Sequence, residues 1–521
     1  MNDKQESKLV REPGLGLAVS VLLVVAFVIV YSVVILELSA QLPIMFGAIF
    51  TALVGYFVLK CPWSAIEKGI RSSIADALIS LLILLIIGAL IGVWITTGIV
   101  PGLVYYGLPL LSPSMFLTAA LLISSIVSLA TGSSWSTTGT IGVALMGVAL
   151  GLNIPAPIAA GVIISGAYFG DKMSPLSETT NLAPAIAGAN LFDHIRAMLW
   201  STVPTYIIVI GITVLIGMKY SGGYIDSSQI EGMRQLLSAE FNISPLCIVP
   251  PLVVAIAAYR KIPALPSIIL GGFVAVLIGF FQGVDLMEIV KSVHSGYKPT
   301  LTASIISASD PQALGALLAE NGIVNVSIDS TVEISKSLSS LLERGGIESM
   351  YWTLSLTILA LALGGILETV GILKVVLKTI VRKIESAKGV VVATITSGFF
   401  ANVFMADQYM AIILPGRMYK PAYDENRIAP RMLSRSIEDS ATITSVLIPW
   451  NTCGAYQSGV LGVPVLSYLP YAFFNYLCPI VSILITLLGL GIYKTIKGKD
   501  TLIRFDSQDL LKIERGRTEK E

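Results

Sequence analysis

Eight polar side chains crowd into "YFGDKMSPLSETTNLAP", the stretch from Tyr168 to Pro184: Asp171, Lys172, Ser174, Ser177, Glu178, Thr179, Thr180 and Asn181. A second run, "EDSATITSVLIPWNTCG", spans Glu438 to Gly454, and two shorter ones are "TGSSWSTTGT" (Thr131–Thr140) and "ANVFMADQ" (Ala401–Gln408). Hydroxyl, amide and carbonyl oxygens are the hard donors that suit cations such as sodium. Thr131, Ser133, Ser134, Thr138, Thr179, Thr180, Asn181, Asn402, Thr442, Thr444, Asn451 and Thr452 supply them. A carboxylate among such donors adds charge, and it can bind a proton in place of a metal ion. Asp171, Asp407 and Asp439 are the leading carboxylates, with Ser133, Thr138, Thr180, Asn181, Asn402 and Asn451 as oxygen donors. Glu178, Lys172, Glu438 and Glu368 are candidate supporting residues.

The surroundings determine what these runs mean. Of 521 residues, 54% are hydrophobic and only 13% charged, against about a quarter charged in soluble domains. Long apolar stretches recur throughout, each near the roughly 20 residues that a helix needs to cross a bilayer. The expected fold is an all-α polytopic membrane protein, since the short alternating strands of a membrane barrel are missing. A net charge of +1 without a basic stripe argues against a nucleic-acid partner. The apolar segment Leu15 to Leu36 is too long for a signal-peptide core and reads as a retained span. Cys61, Cys247, Cys453 and Cys478 are scattered and read as buried small hydrophobes, not a disulfide or metal framework.

Two ordered self-similarities divide the chain. "IEKGIRSSI" (Ile66–Ile74) reads like "LERGGIESM" (Leu342–Met350), and "IGVWITTGI" (Ile91–Ile99) like "GGILETVGI" (Gly364–Ile372). Cytoplasmic loops are enriched in Lys and Arg. With Lys4, Lys8 and Arg11 inside, Lys60, Lys68 and Arg71 are inside too, and the uncharged Gly98–Pro113 lies outside. The matching stretch after Gly371 carries Lys374, Lys378, Arg382, Lys383 and Lys388, a cytoplasmic signature. The halves are therefore expected to be inverted. Odd crossing numbers then make Ser114–Leu150 a re-entrant hairpin, as is its second-half counterpart, while the two longest polar runs break crossing helices.

The expected organisation is a cytoplasmic segment 1–14, a first transmembrane repeat 15–244, a second, inverted repeat 245–493 and a cytoplasmic tail 494–521. An extracytoplasmic insertion occupies about 284–349. Each repeat has five transmembrane helices and one hairpin, with discontinuous helices, and both termini are cytoplasmic. In inverted repeats, broken helices meet near the midplane and their freed carbonyls and half-helix ends hold ions.

Plainer roles compete for several of these residues. Lys172 is expected to pair with Asp171 or Glu178, and many of the Ser and Thr residues to cap helices or bond back to their own backbone. Asp193, His194 and Arg196 read as a solvated cytoplasmic edge, and Glu37 as an outer-edge residue. The tail, of mixed charge, reads as surface-lying or mobile and dispensable beyond Lys499. Asp171 and Asp439, each starting a break in matching elements, are expected to be functional.

At these residues the chain resembles a known family. "GSSWSTTGTIGVALMG", "ISGAYFGDKMSPLSETTNLAP" and "LERGGIESM" are similar to signature regions of the NhaC family of sodium/proton antiporters, and "EDSATITSVLIPWNTCGAY" to its second-half motif. The resemblance covers nearly the whole chain. It implies a multi-pass secondary transporter of a prokaryotic inner (cytoplasmic) membrane that exchanges sodium for protons without a cofactor. The implied partners are sodium, the proton and the lipid bilayer, with a homodimer as the candidate assembly. Related sodium-lactate/malate-proton exchangers leave a second reading open, in which an organic anion or amino acid is also carried. Lys172 and Arg435 are the only cationic residues placed to hold an anion. HExxH, GxSxG and P-loop motifs are absent, which leaves an intramembrane enzyme or an ATP-driven pump without support.

Overall fold

Left-handed backbone punctuates both halves of the chain at matching places. The computed structural model describes residues 12–503 apart from 221–226, 309, 325, 385, 497 and 498. Lys4, Lys8, Arg11 and the tail beyond 503 lie outside the described residues. In the first half, Gly98 (φ 73°) opens helix Ile99–Gly107, Gly132 (φ 68°) ends Pro113–Thr131 and Gly188 (φ 78°) ends Glu178–Ala187. In the second, Gly371 (φ 76°) opens Ile372–Lys383, Ala406 (φ 56°) ends Ala387–Met405 and Gly462 (φ 64°) ends Thr452–Leu461. Each second-half position lies 273 or 274 residues after its counterpart. The N-cap residues repeat likewise: Ser133 matches Asp407, and Ser177 matches Asn451.

The match between Ile91–Ile99 and Gly364–Ile372 falls on equivalent helix ends. The other does not. Ile66–Ile74 is helical, whereas Leu342–Met350 runs from a helix end through Gly345 and Gly346, both left-handed, into a short 3-10 turn. That loop packs against the first half, with Gly346 N donating to Gly88 O at 2.7 Å.

The protein is a polytopic all-α membrane protein. Among the described residues, eight helices are long and apolar enough to cross a membrane, or up to ten if each bent pair counts as one span. Their outward faces carry large apolar residues such as Leu23, Phe27, Ile126, Ile207 and Phe273, as lipid contact requires. This set is one of length and composition. Pro113–Thr131 and Ala387–Met405, first limbs of the two hairpins, each reach crossing length. The two broken elements fall outside it because polar residues interrupt them. Helices Gln229–Glu240 and Pro245–Tyr259 meet at 94°, so the expected boundary at 244/245 lies in a sharp bend. Among its described residues the insertion folds into four helices, Leu286–Ser295, Leu301–Ser307, Pro311–Glu320 and Ile328–Leu342. The tail begins with a β-hairpin, Ile492–Ile496 paired antiparallel to Lys499–Ile503.

Packing interlocks the halves. One core joins Leu84–Tyr168 residues to Ile443–Cys478 residues, and another joins Ala18–Ile66 to Leu356–Ile437. Trp135 stacks on Tyr456 at 4.0 Å between ring centroids. Gly166 and Gly170, one turn apart, bring helix Ala156–Met173 so close to Pro113–Thr131 that an added Cβ would meet Leu121 O or Ser125 O at 2.4 Å. Small residues at this spacing let membrane helices pack backbone to backbone.

Candidate functional site

The first broken span is held open by its own side chains. Helix Ala156–Met173 stops at Ser174 in extended backbone, and Ser177 caps the next helix, Glu178–Ala187. The carbonyls freed by the break find local donors. Thr180 Oγ1 donates to Asp171 O (3.3 Å) and Lys172 O (3.0 Å), and Asn181 Nδ2 donates to Pro175 O (2.9 Å) and Ser177 O (2.6 Å). The tip of the first hairpin reaches the same place. Beyond Gly132, Ser133 caps the second limb, and Ser134 donates to Asp171 Oδ2 from both N (3.0 Å) and Oγ (2.7 Å). Asp171 thus sits at a helix N-terminus, where the helix dipole favours a negative charge.

The second broken span enters from the other half. Helix Pro430–Ile437 widens into a π-helical turn, Glu438–Thr442, before the break that Asn451 caps. Such bulges are frequent at functional sites; this one places Glu438 and Asp439, adjacent in sequence, on different partners. Glu438 Oε1 accepts from Thr179 Oγ1 at 3.2 Å. Asp439 accepts from Lys172 Nζ (2.5 Å), Arg435 Nε (3.2 Å), Ser201 Oγ (2.9 Å) and Ser482 Oγ (2.5 Å). The partner of Lys172 is therefore Asp439 and neither Asp171 nor Glu178. Lys172, Glu438 and Asp439 have no exposed surface and Arg435 almost none. Nor do Asp171 and Asp439 start equivalent breaks: Asp171 lies in the last turn before its break, whereas Asp439 lies more than two turns ahead of Ile448.

The second hairpin tip supplies another oxygen cluster. Asp407 caps helix Gln408–Glu425 by accepting from Met410 N at 2.9 Å, and its Oδ2 is buried without a hydrogen-bond partner. Asn402 Nδ2 donates to Ala441 O (2.6 Å) and Thr444 Oγ1 (3.0 Å), and Asn451 Nδ2 reaches Asn402 Oδ1 (3.2 Å). Glu438 Oε2 and Thr442 Oγ1 are likewise buried and without a partner.

A cavity of about 420 Å³ opens beside the first break. Asp171, Glu178, Ser133, Asn181, Trp135 and Lys261 line it. Tyr409 OH closes one side by donating to Glu178 Oε2 at 2.5 Å. Thr138 is not part of this wall; it bonds back to Ser134 O and Trp135 O. Thr180, Lys172, Glu438, Asp439, Asp407, Asn402 and Asn451 are buried and do not line the cavity. Glu368 stands apart at the end of helix Tyr351–Thr369, exposed and within electrostatic reach of Asp76 and Arg417.

Glu438 lies within electrostatic reach of Lys172 and Asp171. With every group ionised, Asp171, Glu438 and Asp439 set three carboxylates against the two cations Lys172 and Arg435, a formal excess of one negative charge in a buried place. No three His, Cys, Asp or Glu side chains among the described residues group as they would around a bound metal ion. A monovalent cation, which needs one carboxylate and neutral oxygens, or a proton, fits better.

Sequence reasoning missed Ser201, Ser482 and Tyr409, and misplaced His194. His194 is fully buried, with Lys172 and Asp439 within electrostatic reach and both ring nitrogens without hydrogen-bond partners. Its neighbours Asp193 and Arg196 are more exposed. Ser482, a lone Ser in an apolar run, and the buried Ser201–Thr202 pair are the signals that the sequence offers.

The model of the Na+/H+ antiporter family matches residues 166–315 and 302–490, more than half of the chain. The chain belongs to the Na+/H+ antiporter family. Among similar proteins, the Na(+)/H(+) antiporter NhaC of Alkalihalophilus pseudofirmus is 36% identical over 484 residues, spanning 93% of this chain and 98% of that protein. The malate-2H(+)/Na(+)-lactate antiporter of Bacillus subtilis is 36% identical over 377 residues, 72% of this chain and 74% of its own length. The arginine/ornithine antiporter ArcD of Halobacterium salinarum is 33% identical over 489 residues, 93% and 94%. These relatives of the Na+/H+ antiporter family member described here are transporters rather than enzymes.

Proposed function

We propose that the protein exchanges sodium for protons across a prokaryotic cytoplasmic membrane by alternating access. The observation that carries this reading is the single unbalanced negative charge among Asp171, Glu438, Asp439, Lys172 and Arg435. A buried unpaired charge is costly, so the site is stable with one sodium ion or one proton and unstable with neither. Two ions competing for one charge produce exchange. Asp171 and Glu438 carry the exchanging charge, with Ser133, Ser134, Thr179 and Thr442 as nearby neutral oxygens. Asp407, Asn402 and Asn451 form the corresponding oxygen cluster of the other hairpin tip. Asp439, already held by two cations, maintains the geometry.

The recurrence of caps and left-handed positions, together with the opposite charge bias of matching loops, supports two inverted repeats, 15–244 and 245–493, with both termini cytoplasmic. On that topology Lys261 and Pro263 lie at the cytoplasmic side, so the cavity gives access to Asp171 from within the cell.

The organic-anion reading is less well supported here. Lys172 and Arg435, the two cationic residues it would use, are both engaged by Asp439. The cavity wall itself carries Asp171 and Glu178 against Lys261. Purified protein in proteoliposomes is expected to move protons in response to a sodium gradient, at a rate unaffected by malate, lactate, arginine or ornithine. Proton movement that requires one of these solutes would overturn the proposal.

A further inference from the structure

The segment after the last span does not trail away. Strands Ile492–Ile496 and Lys499–Ile503 pair into a hairpin whose first strand is bonded to the loop preceding helix Pro430–Ile437. Ala429 N donates to Tyr493 O (2.9 Å), and Thr495 N donates to Arg427 O (3.0 Å). Two arginines one turn apart on that helix each end on the hairpin or its lead-in. Arg431 Nε meets Asp500 Oδ2 at 2.8 Å, and its guanidinium lies 4.8 Å over the Tyr493 ring. Arg435 Nη1 donates to Gly491 O at 3.0 Å while its Nε holds Asp439 at 3.2 Å. Thr495 Oγ1 orients Asp500 by donating to its Oδ1 at 3.1 Å.

The contacts reach the first half as well. Arg431 Nη2 pairs with Asp193 Oδ2 at 3.1 Å, and Trp200 Nε1 donates to Tyr493 OH at 3.3 Å. Gly491 stands so close to the Trp200 ring that an added Cβ would meet Cγ at 2.5 Å. Arg431 and Asp500 are mostly covered, at 11% and 22% side-chain exposure, so their pairing is less screened than a surface ion pair.

We infer that the hairpin is a positioning element for the ion centre, and that Asp500 acts through Arg431 and Arg435 to hold Glu438 and Asp439 in register with the first half. Three ion pairs joined by one turn of helix support this: Asp500 pairs with Arg431, Arg435 follows one turn along the same helix, Arg435 pairs with Asp439, and Asp439 pairs with Lys172. Asp500 touches no transported ion. Its role is pre-organisation, which lowers the cost of assembling a binding geometry. The inference rests on the exchange reading above only in taking Asp171 and Glu438, which the Asp439–Lys172 pair keeps in place, as the groups that hold sodium.

The test uses the full chain and two variants in proteoliposomes, Asp500→Asn and Asp500→Glu, beside a truncation ending at Ile496. Asp500→Asn and the truncation are expected to raise the half-saturating sodium concentration about threefold, as loss of one partly covered ion pair implies. Maximal rate and thermal unfolding midpoint in detergent should stay near those of the parent, and Asp500→Glu should restore sodium dependence. An unchanged half-saturating sodium concentration in both Asp500→Asn and the truncation overturns the inference. So does a loss confined to protein yield. Absence of sodium-driven proton movement in the parent protein would count against the exchange reading instead. The hairpin is then tested by the shift in unfolding midpoint that sodium produces, which Asp500→Asn should diminish and whose persistence would overturn the inference.

Discussion

Lys172 Nζ lies 2.5 Å from Asp439 Oδ1, a contact across 267 residues that ties the first broken span to the second. Neither side chain has any solvent exposure. Removing one member of such a pair leaves an uncompensated buried charge, typically at a cost of about 3–5 kcal/mol. Lys172→Met should therefore lower the unfolding midpoint of the detergent-solubilised protein sharply, and Lys172→Met combined with Asp439→Asn should recover much of the loss. A single Lys172→Met variant as stable as the parent would show that Arg435, Ser201 and Ser482 satisfy Asp439 without it.

Asp171 and Glu438 are expected to behave differently from Asp439. Asp171→Asn and Glu438→Gln keep size and hydrogen bonding but remove the charge that sodium and protons share. Each should abolish sodium-driven proton movement while the protein still inserts and unfolds at nearly the parent temperature. Asp439→Asn should instead reduce the amount of folded protein. Near-normal exchange by Asp171→Asn would move the exchanging charge to Glu438 or Asp407.

At the first hairpin tip, Gly132→Ala combines two penalties. Its φ of 68° costs an L-residue roughly 1–2 kcal/mol, and the new Cβ would meet Leu176 C at 2.7 Å and Ser177 N at 2.8 Å. Either the tip or the break must shift, and with it the Ser134 donors on Asp171. Exchange should fall at least about tenfold, since small misplacements of a binding geometry are costly. A fully active Gly132→Ala protein would mean that this tip tolerates displacement.

Topology can be read with thiol reagents. Cys61, Cys247, Cys453 and Cys478 are buried, so background labelling should be low. A cysteine in place of Lys336, exposed in the helical insertion, should react from outside intact cells with an impermeant reagent. One in place of Lys383 should react only after permeabilisation. Labelling of both from one side is incompatible with inverted halves.

Much of this arrangement could be read from the sequence because membranes penalise polar residues so heavily that each polar run marks a break, a cap or a site. The four runs fall at the two hairpin tips and the two broken spans. Ser133, Ser177, Asp407 and Asn451 sit at helix N-caps, as short polar side chains prefer. Pairing between halves was hidden because it depends on three-dimensional crossing. Asp439 is one residue from Glu438, yet the π-helical turn sends it to Lys172 and Arg435. His194 looked like an edge residue because Asp193 and Arg196 flank it, although one helical face there is buried. The tail hairpin escaped notice because its charges, Lys494, Lys499 and Asp500, resemble those of a solvated segment.

The separation of Lys172 from Asp439 along the chain also sets a delay. At synthesis rates of about 5–20 residues per second, Asp439 emerges roughly 13–53 s after Lys172. During that interval the first half carries an ammonium group on a helix of buried, mostly small and apolar residues, with its partner Asp439 not yet made. The lysine must stay at a wet boundary, or its helix must remain incompletely inserted, until the second broken span arrives. A nascent chain arrested before Ile437 would therefore remain open to membrane proteases, whereas one extended through Phe473–Leu487 would have both Asp439 and Ser482 in hand and could close.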